Sequence, residues 1–125
     1  MGEFREVIQS GAISIYYVKG CNVSSLDACI WSDGGMFIED KSKKVMTINR
    51  LFVTKELRNK GIGTELLERL FRIADQEGYT LELGVCPYGD GGPDEEGLIE
   101  FYNNRGFKQV AEINDCVMVR ECKTK

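Results

Sequence analysis

The chain has 125 residues, 42% hydrophobic and 29% charged, a length and balance that fit a single globular domain over residues 1–125 and exclude a disordered or membrane-embedded chain. Acidic residues outnumber basic ones, 20 to 16, which argues against nucleic acid as a partner, because phosphate neutralisation supplies most of a nucleic-acid binder's affinity. Histidine is absent; this excludes His-activated nucleophiles and imidazole metal ligands, and no metal is expected.

The predicted elements begin with Ala12 to Val18, an apolar β-prone run that ends at Lys19-Gly20. Asp27 to Trp31 and Met36 to Glu39 read as two strands joined through Ser32-Asp33-Gly34-Gly35. A polar turn, residues 40–44, leads into Val45 to Val53, a long β-prone run. From Gly61 the period changes: Ile62, Leu66, Leu70 and Ala74 recur every four residues, with Glu65, Arg69 and Arg72 on the other side. That is an amphipathic helix closed near Gly78. Thr80 to Val85 alternates as a strand, and residues 87–97, with two prolines and four glycines, read as a loop. Glu95 to Asn104 reads as a short helix stopped by Gly106, and Phe107 to Ile113 with Cys116 to Cys122 as a closing hairpin about Asn114-Asp115. The order β-β-β-β-α-β-α-β-β predicts an α+β fold: a mostly antiparallel sheet with one parallel pair about the middle helix. No apolar run approaches the ~20 residues of a bilayer span, so no membrane partner is expected. Five cysteines without a CxxC pair, and no charged-then-apolar targeting segment at the start, lead to the expectation of reduced thiols in the cytoplasm.

The segment most informative about chemistry is Leu51-Phe52-Val53 followed by Arg58-Asn59-Lys60-Gly61-Ile62-Gly63-Thr64. A strand runs into a basic loop, and a glycine pair opens a helix. The first turn of a helix carries N–H groups without intrahelical acceptors and a partial positive charge, and glycine lets a ligand approach the backbone. With Arg58 and Lys60 beside it, this is a candidate phosphate or pyrophosphate site; the alternative is a glycine pair that only caps a helix. A Walker A loop is excluded because Lys60 precedes Gly61, and the dinucleotide fingerprint because its third glycine position is Leu66.

Leu51-Phe52-Val53 with Arg58 to Gly63 resembles the acetyl-CoA pyrophosphate loop of the GNAT superfamily of N-acetyltransferases. Phe101-Tyr102-Asn103-Asn104-Arg105-Gly106-Phe107 is similar to that family's Phe-Tyr-x-x-x-Gly-Phe signature. The resemblance covers about residues 45–120. It implies a sheet whose parallel pair, the strands ending at Val53 and Val85, splays apart around the pantetheine arm. Leu51 and Val53 would pair with that arm as an added strand does, and residues 58–64 would hold the pyrophosphate. An N–H near Val53 would polarise the thioester carbonyl. Phe52, Ile62, Lys60, Asn59 and Arg105 join the cofactor-binding set. Tyr102 matches the position that protonates the leaving thiolate, a transfer suited to a phenol of pKa ~10 facing a thiol of ~8.5. Glu82, the acidic residue on the second splayed strand, is the candidate general base. Asp90, Asp94, Glu95 and Glu96 read as a solvated charge run, the alternative being that they attract a cationic amine. Cys86 follows that strand, with no basic partner visible.

The resemblance implies acetyl-CoA as cofactor and direct acetyl transfer to a primary amine of a small molecule, peptide or protein. The alternative is a non-catalytic acyl-CoA-binding module or sensor of the same fold. Two departures bear on this choice. Glu95 and Leu98 stand where members often carry Asn and Ala. The stretch before Val45 is also too short for the two helices that usually wall the acceptor site, which is therefore open or completed by a second subunit in a homodimer.

Overall fold

The computed structural model describes residues 2–58, 60–85, 94–110 and 112–123, with the side chains of 114 and 115 excepted. Asn59, Cys86 and residues 87–93 of the expected loop, Asp90 among them, lie outside the described residues. The elements are β1 (Glu3–Gln9), β2 (Ala12–Lys19), β3 (Asn22–Trp31), β4 (Val45–Phe52), α1 (Ile62–Glu77), β5 (Thr80–Gly84), α2 (Glu95–Asn103), β6 (Lys108–Val110) and β7 (Asn114–Arg120). The strands form one sheet in the order β1-β2-β3-β4-β5-β7-β6. β4 and β5 run parallel; the other neighbouring pairs are antiparallel. This is the expected α+β architecture, with the strand–helix–strand unit at its centre.

The four-residue apolar repeat of α1 explains its placement. Leu66, Leu67, Leu70 and Ala74 are buried and share one core with Ile13, Ile15, Leu26, Ala28, Met46, Ile48, Leu81 and Leu83 from four strands. Each fully buried leucine contributes roughly 1.5–3 kcal/mol. On the outer side Arg69 donates to Glu65 one turn earlier at 3.0 Å and stacks over Phe4 at 4.2 Å, which ties β1 to the helix. An aromatic chain, Phe71–Phe107–Tyr102–Phe101, connects α1 to α2 with ring centroids 5.2–5.9 Å apart.

Two strand assignments differ from expectation. Met36 to Glu39 is not a strand. Its backbone N–H groups turn instead toward a buried carboxylate on β5, which substitutes for a neighbouring strand as acceptor. β1, not expected, is an edge strand whose residues are almost all exposed; with one face to water and one edge open, its sequence Glu3-Phe4-Arg5-Glu6 carries too little apolar alternation to signal itself. The closing hairpin is also shorter on its first side, because the chain turns at residues 112–113, before Asn114-Asp115.

Candidate active site

The site begins with an irregularity in β4. Ala28 faces Ile48 and Asp27 faces Arg50, so Asn49 is an extra residue in the β3–β4 ladder. Such a bulge bends and twists its strand. The β4–β5 ladder stops at the same place, at Ile48↔Leu83, while β4 continues to Phe52. The two parallel strands therefore diverge, as the family resemblance implies. The gap is a cavity of about 360 Å³ lined by residues 48–51 of β4, Gly84 of β5, and Leu98 and Tyr102 of α2.

Below β4 the chain makes a 3-10 turn, Lys55–Leu57, anchored by the buried Leu57 and by a hydrogen bond from the Thr54 N–H to the Ser24 hydroxyl at 3.1 Å. Arg58 folds back so that its Nε donates to the Val53 carbonyl at 3.0 Å. Gly61 caps α1 with φ +79° and no side-chain cap, a backbone conformation that costs an L-residue about 1–2 kcal/mol. A Cβ on Gly61 would meet nothing within 4 Å, and one on Gly63 would stand 3.5 Å from Val53 and 3.7 Å from Phe101. The approach to the first turn of α1 is thus open, as an anion-binding helix start requires.

The two motif segments meet here. Arg105 donates from Nε and Nη2 to the Thr64 hydroxyl at 3.0 and 2.7 Å, and from Nη1 to the Phe101 carbonyl at 2.8 Å. Its guanidinium lies 3.8 Å from the centroid of the Phe101 ring. Arg105 is therefore built into the start of α1 rather than placed only at the end of α2. Lys60 is exposed beside the same turn, and Ile62 and Thr64 are half-buried within it. Leu51 lines the cavity; Phe52 sits on the opposite face of β4, under the guanidinium of Arg50 at 5.0 Å. Tyr102 is 7% exposed and lines the cavity from α2, its ring held edge-on by Phe101 and Phe107.

Glu82 does not join this group. It is fully buried and absent from the cavity lining. Its carboxylate accepts the N–H groups of Met36 at 2.7 Å, Phe37 at 3.1 Å and Ile38 at 2.8 Å, and the Thr47 hydroxyl. With about four lone-pair positions on a carboxylate, these partners occupy both oxygens. The expected general base is a buried anchor for residues 36–38 on the face of the sheet opposite α1. The close approach requires glycine at position 35, where a Cβ would stand 2.8 Å from the Glu82 Oε2 and 2.6 Å from Val45. Phe37, pinned in this way, lies 3.4 Å from where a Gly84 Cβ would be, against the cavity wall. Of the acids expected near an acceptor, Asp94 caps α2 by accepting from Gly97 at 2.8 Å, and Glu95 and Glu96 occupy its first turn, positions that the helix dipole favours.

Sequence reasoning did not find Asn49, Arg50, Gly84 or Leu98 as cavity residues. The first two follow from the bulge, which leaves no mark in the β-prone run. Gly84 and Leu98 become lining residues only when β5 and α2 are packed.

Residues 28–107, well over half of the chain, match the acetyltransferase (GNAT) family. The mixed sheet with its splayed parallel pair is that of an acyl-CoA N-acyltransferase, and the chain belongs to the GNAT acetyltransferase family. An uncharacterized N-acetyltransferase of Methanocaldococcus jannaschii is 33% identical over 70 residues, 55% of this chain and 28% of that protein's length. The match thus spans little more than a quarter of that relative. Among solved structures, the ribosomal-protein-S18-alanine N-acetyltransferase from Escherichia coli superposes with a TM-score of 0.62 at 12% identity, covering 97% of this chain and 94% of its own. An aminoglycoside 6'-N-acetyltransferase complexed with coenzyme A gives 0.59 at 19% identity, covering 89% and 73%. At these identities the two structures speak to the fold. Among the described residues no helix is long and apolar enough to cross a membrane.

Proposed function

We propose that this protein is an acetyl-CoA-dependent N-acetyltransferase acting on a primary amine, working in the cytoplasm. The observation that carries the reading is the contact between the two motif segments. Arg105 of the second segment donates to Thr64 in the uncapped first turn of α1, and Tyr102 of the same segment lines the cavity where β4 and β5 part. Acetyl-CoA bound here would supply an acetyl thioester, whose C–S bond breaks as the acceptor nitrogen takes the acetyl group. The backbone of residues 58–64 would hold the pyrophosphate through N–H groups and the helix dipole. Residues 51–53, at the end of β4 and just past it, would align the pantetheine arm by strand-like pairing, and an N–H near Val53 would polarise the carbonyl. Tyr102 would hand its phenolic proton to the departing sulfur. Since Glu82 is committed to residues 36–38, the proton lost by the amine leaves through water.

The reading is tested by titrating the protein with coenzyme A in a calorimeter and by following thiol release from acetyl-CoA with a panel of amines. Saturable binding and amine-dependent release support it; absence of coenzyme A binding removes it. A second reading, a non-catalytic acyl-CoA-binding module, is favoured by one observation: no carboxylate lines the cavity among the described residues, and Leu98 narrows it from α2. Binding of coenzyme A without thiol release on any amine would establish that reading instead.

A further inference from the structure

We infer that the mouth of the cavity on the face opposite α1 selects an acceptor amine that also carries a carboxylate, and that Arg50 holds that carboxylate. The inference rests on the proposed acetyltransferase function. Arg50 is the one basic or acidic side chain among the described lining residues, the others being Ile48, Asn49, Leu51, Gly84, Leu98 and Tyr102. It is exposed, and its side chain stacks on Phe52 and makes no hydrogen bond or ion pair with the side chain of any described residue. Its neighbour across the strand pair is Asp27, yet that carboxylate accepts the Ser14 hydroxyl at 2.8 Å and does not pair with the guanidinium.

Strand alternation separates Arg50 from the cofactor's phosphates. Leu51 packs against the core beneath α1, so Arg50 and Phe52 project to the other face. The proposed pyrophosphate position lies at the start of α1, where Arg58 and Arg105 stand. Stacking on Phe52 holds the plane of the guanidinium, and its N–H edges match a carboxylate in a two-point, charge-assisted contact. The same cation repels a polyamine or an aminoglycoside, whose charges would all be of its own sign. A free amino acid and the amino terminus of an acidic peptide share the required chemistry.

Thiol release from acetyl-CoA is measured with glutamate, triglutamate amide, triglutamine amide and spermidine as acceptors. The expected result is a kcat/KM for at least one acidic amine about tenfold or more above triglutamine amide and spermidine. The better of glutamate and triglutamate amide identifies a free amino acid or a peptide terminus as the source. Arg50→Gln should bring the acidic amine down to the neutral one mainly through KM, while the Kd for coenzyme A stays within about twofold. Preference for spermidine, equal rates with acidic and neutral amines, no acetylation of either acidic amine, or discrimination unchanged in Arg50→Gln would each overturn the inference. A loss of coenzyme A affinity in Arg50→Gln would assign the residue to the cofactor and overturn it as well. If the wild-type protein does not bind coenzyme A, the acetyltransferase reading itself fails, an outcome distinct from all of these.

Discussion

Tyr102 and Gly63 carry separable parts of the proposed activity. Tyr102→Phe keeps the ring that packs on Phe101 and Phe107 and removes the hydroxyl. Its kcat should fall by about 10² or more, the range of a lost general acid, with coenzyme A affinity retained in calorimetry; wild-type turnover would take the phenol out of the reaction. Gly63→Val places methyl groups beside Val53 and Phe101, in the path to the first turn of α1. Coenzyme A affinity should drop by at least about tenfold with little change in the melting temperature. Gly61 behaves differently: its φ of +79° makes any side chain cost about 1–2 kcal/mol of stability, so affinity and stability fall together there. Glu82→Ala exposes the converse separation. Three backbone N–H groups and one hydroxyl lose their acceptor, and hydrogen bonds to a charged group are worth about 1.5–3 kcal/mol each. Denaturation should show a loss of roughly 3 kcal/mol, and hydrogen exchange should rise at residues 36–38 while coenzyme A still binds.

Among the elements, α1 is secured at both ends by different chemistry. Its N-terminal turn is joined to α2 through Arg105 and Thr64. Its C-terminal half is joined to β7 through Asp75 and Arg120, a two-point pair at 3.0 and 2.9 Å, with the Lys123 N–H adding a third contact at 3.0 Å. Arg120 is 3% exposed and stacks on Phe71 at 4.0 Å. Removing Asp75 would leave a buried cation without its partner, which costs about 3 kcal/mol; chemical denaturation of Asp75→Ala measures it. The Arg120 hydrogen bonds hold the Asp75 carboxyl below its ordinary value, against the opposing effect of burial, with the Lys123 N–H and the nearby positive charges assisting. A depressed carboxyl stabilises the fold above its unfolded pKa of about 3.9, and the contribution is lost as pH falls through the lower folded value. Wild-type stability should therefore decline as acid is added below about pH 4, and Asp75→Asn should show a shallower decline from a lower starting point.

Across the whole molecule, stability is concentrated where the site is built. β4, β5 and α1 meet in one core, whereas β1 is an edge strand with nearly every residue exposed. Amide exchange should follow that gradient, with β1 opening locally at least about tenfold faster than β4 and β5; equal protection would show that the sheet opens as one unit. Consecutive hairpins join β1, β2 and β3, and Glu82 holds residues 36–38 on the sheet face opposite α1.

The repeat of Ile62, Leu66, Leu70 and Ala74 predicted α1 because a helix buries whatever recurs near every fourth residue, wherever the partner lies. The glycine that opens α1 and the helix that carries Phe101-Tyr102 were legible for the same reason: each is a feature of local backbone or periodicity. Glu82, Arg50 and β1 were not legible. The role of Glu82 depends on N–H groups 44–46 positions earlier in the chain, and only folding brings them to its carboxylate. Arg50 reaches the cavity because a bulge at Asn49 coincides with the end of the β4–β5 ladder, an event of strand pairing rather than of local preference. β1 exists because β2 offers it an edge. Short-range periodicity is thus written in the chain, whereas the surroundings of Glu82 and Arg50 are set by pairing and contacts between distant segments.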